Sequence, residues 1–259
     1  MKCYTQRLCL VFGFCLTTLS ITASAEMVGI TTSMETLAKS YAGKVYSPYA
    51  QRSFPTFPLW GETHLHTGYS MDAGLFGNRT LHETGYRFAR GEEVMASSGQ
   101  PVKLGRPLDW LVIADHSDQM GFVQDIIKGD PVVMATDQGQ RWNAGIKDDP
   151  QATALNLIET FSQNKLDPKL VEAYAPGSAK YQTIWDKIIK TAEEYNEPGH
   201  FTTLIGYEWT SLVKGGNMHR NVIFRDGAQK VSQVVPYTMV PPFGSTDPLD
   251  LYKWMEEYE

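Results

Sequence analysis

The run Trp110-Leu111-Val112-Ile113-Ala114 places five apolar residues in succession with no polar alternation. A strand of this kind needs cover on both faces, which a parallel sheet flanked by helices supplies. It lies within the strand signal LDWLVIADH (108–116). Comparable signals are FPLWGETHL (57–65), FTTLIGYEWTS (201–211) and, as a fourth, HRNVIFR (219–225). Helical patterns separate them. Thr80-Leu81-His82-Glu83 has the form of a capping box and opens a helix running to Gly91. Asp130-Pro131 and Asp149-Pro150 each combine an N-cap with proline at the first helical position. The clearest helix starts near Ser178, with Tyr181, Ile184, Trp185, Ile188, Ile189, Ala192 and Tyr195 on one stripe. Asp247-Pro248 opens another, with Leu251, Trp254, Met255 and Tyr258 on one face. Buried strands alternating with helices predict an α/β fold. Roughly 85 residues separate ADH from IGYEW, far more than one crossover needs. Residues 117–200 are therefore expected to form a helical insertion covering one end of the sheet.

The N-terminus has a different character. Lys2 and Arg7 precede the apolar stretch Leu8 to Leu19, which is short for a membrane span, and Ala23-Ser24-Ala25 has the small-x-small form of a cleavage site. Residues 1–25 read as a secretory signal, 26–54 as an extended N-terminal arm and 55–259 as the folded domain. All three cysteines (Cys3, Cys9 and Cys15) fall within the signal. The mature chain would then have no disulfide and no thiolate ligand, as suits a periplasmic or secreted bacterial protein. Without Lys2 and Arg7 there remain 21 Lys and Arg against 29 Asp and Glu, an excess of eight negative charges. That balance argues against a nucleic-acid surface, and no second hydrophobic span suggests a membrane after cleavage.

The chemistry-bearing residues gather where the strands end. Residues i and i+2 of a strand face the same side, so His64 and His66 in GETHLHTGYSMDAG (61–74) project together and can chelate one cation. Alone, a His-x-His is more often a surface or core pair. Asp115 and His116 close a buried strand at its C-terminal end, where α/β active sites collect; in isolation they would read as a helix cap and a solvent-facing histidine. Glu208 is embedded in an apolar strand, where a carboxylate is costly unless paired with an arginine or bound to metal. His219 follows eleven residues later, after the KGGN turn. Four strand ends that each deliver a histidine or a carboxylate predict a metal site. The remaining histidines, His82 and His200, are expected to be exposed polar residues.

In this order, GETHLHTGYSMDAG, IADH, GYEWTS and MHRNVIF resemble the motifs of the PHP (polymerase and histidinol phosphatase) superfamily. The chain is most similar to a secreted bacterial family of PHP-related proteins, over roughly 55–259 and through LFGNR, YRFARGEEV and the final DPLDLYKWMEEYE. The resemblance implies a distorted (β/α)7 barrel holding two or three divalent metal ions. It implies that His64 and His66 bind a first metal and that Glu208 bridges it to a second, which His219 also binds. His116 would belong to a third site, with Asp72 as a further candidate ligand. Glu62 stands where the superfamily usually has aspartate and is expected to support the ligands at most. The superfamily pattern also has a histidine just beyond the last helix here, and a later Asp-x-His. The resemblance therefore implies a barrel incomplete at the C-terminus, the front part of a longer protein.

Histidine and carboxylate ligands suit Zn(II), Mn(II) or Fe(II). Two such cations about 3.5–4 Å apart activate a bridging water and clamp phosphoryl oxygens, with no serine or cysteine nucleophile required; no GxSxG element is present. Arg79, Arg106 and Arg220 are candidates to hold the phosphate through paired N–H donors, against a competing reading as salt-bridge residues. The expected function is an exported metal-dependent phosphoesterase acting on a small-molecule phosphoester, with His64, His66, His116, Glu208 and His219 at its catalytic centre. Two readings compete with it. One is a non-catalytic PHP-like module that binds metal for structure or interaction; the other is a hydrolase of sulfate esters or amides.

Overall fold

The computed structural model describes residues 57–213 and 216–259. The expected signal (1–25) and arm (26–54) lie outside the described residues. Along the chain come β1 (Gly61–Leu65), α1 (Met71–Leu75), α2 (His82–Ala89), β2 (Val94–Met95), β3 (Pro101–Val102) and β4 (Trp110–Ile113). Then follow α3 (Phe122–Lys128), α4 (Pro131–Met134), α5 (Asp137–Asp148), α6 (Pro150–Ser162), α7 (Pro168–Ala173) and α8 (Ala179–Tyr195). The remainder is β5 (Thr202–Val213), β6 (Gly216–Ile223), α9 (Ala228–Val231) and α10 (Pro248–Tyr258).

The architecture is mixed α/β. One sheet has the order β1-β4-β5-β6, and β2 and β3 form a separate antiparallel pair. β1, β4 and β5 are parallel, whereas β6 folds back antiparallel on β5. The run that demanded cover on both faces has it: Leu111, Val112, Ile113 and Ala114 are all buried. Neighbouring strands come close at Gly206, where a Cβ would lie 2.6 Å from Val112 Cγ1 of β4 and 2.9 Å from the Val222 carbonyl oxygen of β6. Only glycine lets β5 pass between those neighbours.

Two cores divide the helices. Alternate residues of β5 (Ile205, Tyr207 and Trp209) meet Tyr181, Trp185, Ile188 and Ile189 of α8, together with Tyr86 of α2 and Leu251 of α10. Every second β5 residue therefore faces this core, leaving the other face of the strand free for chemistry. A second core gathers Phe122, Val123 and Ile126 of α3, Val133, Trp142, Leu157, Leu170 and Tyr174. Within 117–200, then, α3 to α7 build a second core that Leu75 of α1 joins, while α8 is the helix that covers the sheet between β4 and β5.

The helix starts show which local signals are obeyed. Asp130, Asp149 and Asp247 cap α4, α6 and α10 as their Asp-Pro pairs predict, and Ser178 caps α8 by accepting from the Tyr181 N–H. Asp167-Pro168 does the same for α7. The capping box at Thr80 does not form. Leu81 is the N-cap of α2, and the Thr80 hydroxyl donates instead to Asn78 Oδ1 at 2.7 Å, tying the loop before the helix. Met255, expected on the inner stripe of α10, is exposed.

Ile188 is 3% exposed at the centre of the α8 stripe. Ile188→Ala should cost about 2–5 kcal/mol in denaturant unfolding. A loss within experimental error would place α8 outside the core.

Candidate metal centre

The face of β5 turned away from the first core carries Glu208 and Thr210. Glu208 is 1% exposed. Among the described residues no arginine partners it. Four histidines do, from three other stretches of chain. On β1, Leu65 packs into the core, which turns its neighbours His64 and His66 to the opposite side. His64 Nε2 lies 3.1 Å and His66 Nε2 2.7 Å from Glu208 Oε2. His116, just past β4, bridges in parallel to Glu208 and brings Nδ1 to 3.5 Å from the same oxygen. His219 on β6 is the register partner of Thr210 and sets Nδ1 2.7 Å from Glu208 Oε1. The carboxylate thus meets three histidines through one oxygen and a fourth through the other.

Asp72 extends the cluster from α1. Its carboxylate lies 3.1 Å from His66 Nδ1 and 3.5 Å from His116 Nε2, and the Ser70 hydroxyl donates to it at 2.6 Å. Three overlapping groups each bring their ligand atoms within 4.8 Å of one another: His64, His66 and Glu208; His66, Asp72 and His116; His116, Glu208 and His219. The sequence-predicted ligands therefore converge.

The electrostatics describe a centre that seeks positive charge. Burial disfavours a charged His66, but hydrogen bonds and the charges of Asp72 and Glu208 outweigh it and raise the imidazole to about 10. Burial also works against an ionised Asp72, yet His116, His66 and Ser70 hold its carboxyl far below the usual range. Glu208 is likewise shifted downwards: burial opposes its charge, and His66, His116 and His64 favour it. His66 Nε2 supplies a direct test of fit. It is buried and makes no hydrogen bond among the described residues, because it meets Glu208 Oε2 at 2.7 Å outside hydrogen-bond geometry. A buried imidazole nitrogen this close to a carboxylate oxygen can be bridged by a proton or, once that proton is displaced, by a cation. Hard and borderline divalent ions match this nitrogen and oxygen set.

Supporting residues hold the ligands in place. The Thr210 hydroxyl lies 2.9 Å from His116 Nδ1 and 3.1 Å from His219 Nδ1. Ser70 Oγ accepts from the His116 backbone N–H at 3.2 Å. Glu62, which is exposed, accepts from the backbone N–H groups of Thr63 and His64 and so fixes the entry to the His-x-His segment. Asp115 is buried and accepts from both the N–H and the hydroxyl of Thr67, locking the residue after His66. Thr210 was legible in principle, since it shares the Glu208 face by strand parity; nothing local marked Ser70 or Thr67.

Other expectations need correction. His82 is buried, not exposed; it lies 3.6 Å from Asp115, and burial lowers its imidazole despite that neighbour. A histidine in the first turn of a helix was read as solvent-facing, but α2 turns that position inwards beside Tyr69 and Tyr86. His200 is exposed as expected. The three arginines do not join the cluster. Arg79 donates Nη1 to the carbonyls of Gly74 and Asn78, closing the turn after α1. Arg106 precedes β4, at the opposite end of the strand from His116, and faces Asp109 at 3.9 Å. Arg220 pairs with Trp209 in register, on the face away from Glu208, and donates to the His219 carbonyl.

Residues 53–259 match the model of the family described as protein of unknown function (DUF3604). No curated protein and no solved structure matches the chain.

Saturation with Mn2+ or Zn2+ at about a hundred times Kd should stabilise the chain by about 2.7 kcal/mol, seen as a rise in Tm. Glu208→Gln, which keeps the shape and removes the charge, should abolish that rise. Thr210→Val should weaken the ion about 10–100-fold by releasing the two histidines it orients. An undiminished metal shift in Glu208→Gln would remove the carboxylate from the centre.

Proposed function

The chain belongs to the DUF3604 family, and for this member we propose an exported, metal-dependent hydrolase of the PHP type that cleaves a small-molecule phosphoester. One observation carries the reading: a buried carboxylate contacted through both oxygens by histidines from three separate stretches of chain. A purely structural carboxylate would need one partner and would gain nothing from three mutually overlapping ligand groups. In this proposal the sheet is one part of a PHP-like barrel, the segment 1–25 directs export, and the ions are two or three of Zn(II), Mn(II) or Fe(II).

Divalent ions bound here would supply a hydroxide at neutral pH and positive charge for the phosphoryl oxygens. The chain's own residues do the rest. His64, His66 and Glu208 would hold one ion, and Glu208 with His219 and His116 a neighbouring one. Asp72 would complete a group with His66 and His116. Thr210 fixes two imidazoles at once, so their nitrogens are preorganised. The arginines of the turn after α1, of the β4 entry and of β6 all lie elsewhere. Substrate charge would accordingly be met by the ions and the histidines.

The test is metal content and turnover of the full chain after loading with Mn2+ or Zn2+, against a phosphoester, a sulfate ester and an amide. Phosphoester cleavage that is lost on chelation, and falls at least a hundredfold in Glu208→Gln, is the expected outcome. Bound metal with no turnover of any of the three would favour a non-catalytic module, and turnover of the sulfate ester or amide alone would reassign the substrate.

A further inference from the structure

β1 does not run straight against β4. Glu62 pairs with Leu111 and Leu65 with Ile113, so Thr63 and His64 stand together opposite Val112. The extra residue makes a bulge, a device that re-aims a side chain beside a functional site. Its effect follows from strand parity. Ile113 faces the first core, and Leu65 packs there too. Without the extra residue, the pairing of Glu62 with Leu111 would set His64 against Ile113 and turn it into that core, and Leu65 would take the side of Glu208. The bulge delivers the imidazole to the carboxylate.

A bulge interrupts the ladder, and here side chains answer the backbone groups on both sides of the break. Glu62 Oε1 accepts from the N–H groups of Thr63 at 2.8 Å and His64 at 3.0 Å. The Thr63 carbonyl accepts from Asn221 Nδ2 at 3.0 Å. Asn221 belongs to β6, at the opposite edge of the sheet from β1. In a flat four-stranded sheet those edges would stand about 14 Å apart, beyond the reach of one side chain. The sheet is therefore curled, and Asn221 spans the gap on its concave face. That face is the one of the metal centre, since Asn221 is the register partner of Glu208 and lies two residues from His219.

The partner fixes the orientation of the amide. A carbonyl can only accept, so Nδ2 faces Thr63 and Oδ1 turns away from it. Oδ1 is buried and has no hydrogen-bond partner among the described residues. An orphaned buried acceptor is unfavourable, and leucine would fill a similar volume without one. What asparagine contributes here is the donor. His64 is the ligand with most need of it: its side chain is 49% exposed, against 34% or less for the other three histidines around Glu208, so packing does least to fix it. Resting on the metal-centre reading above, we infer that Asn221 is a positioning residue, which straps the β1 bulge from the far edge of the sheet and so holds His64 against Glu208.

Asn221→Leu and, at an exposed position, Glu62→Ala each remove one half of this clamp. In the metal-free full chain, amide hydrogen exchange at Thr63 and His64 should quicken at least tenfold in either variant, while the β4 amides of Leu111 to Ile113 keep their wild-type rates. Mn2+ titrated calorimetrically into the full chain should bind about 10–100-fold more weakly in Asn221→Leu. His64→Ala retains the two ligand groups that do not use His64. In that background the same substitution should cost threefold or less, because a strap that acts through His64 has nothing left to hold. An equal loss of affinity with and without His64, or unchanged exchange in Asn221→Leu, overturns the inference and leaves the metal centre standing. Quickened exchange in a chain that binds no Mn2+ overturns the metal reading and leaves the strap.

Discussion

The molecule is organised around one buried negative charge. Glu208 sits in the middle of β5 at 1% exposure, and a carboxylate there is unfavourable unless its surroundings answer it. What answers it is drawn from β1, from the end of β4 and from β6. Strand order and strand direction are thereby tied to chemistry. Parallel β1, β4 and β5 bring three C-terminal ends to one side, and the antiparallel return of β6 adds a fourth histidine that a parallel strand would have carried elsewhere.

Much of this was legible in the sequence because the relevant rules are local. Strand parity put His64 with His66, the unbroken run 110–114 demanded a covered strand, and the Asp-Pro pairs marked helix starts that do form. Parity also separates Arg220 from His219, a consequence available from the sequence but masked by the attraction of an arginine beside an expected phosphate site. The misreadings have a common origin in tertiary contacts. His82 is buried because α2 packs against Tyr69, and the capping box at Thr80 loses its hydroxyl to Asn78, whose own Nδ2 bonds the His66 carbonyl. Neither partner is near in any sequence pattern.

The division of the helices into two cores has its own logic. α8 belongs to the sheet and fixes the face of β5 that carries no chemistry, and Tyr181 of its stripe also donates to the Ser117 carbonyl beside His116. The helices α3 to α7 share their core with Leu75 of α1, the short helix that carries Asp72.

The pairing of Thr210 with His219 couples folding fidelity to the centre in a further way. A slip of one residue in the β5–β6 hairpin turns every β6 side chain to the other face. Arg220 would then stand where His219 belongs, with its guanidinium against the buried carboxylate. Such a hairpin would be electrically content, since the charge of Glu208 would be neutralised without any ion. It would also be chemically silent, because a guanidinium has no lone pair to offer a metal. The observed register is therefore the one on which the four-histidine surround of Glu208 depends.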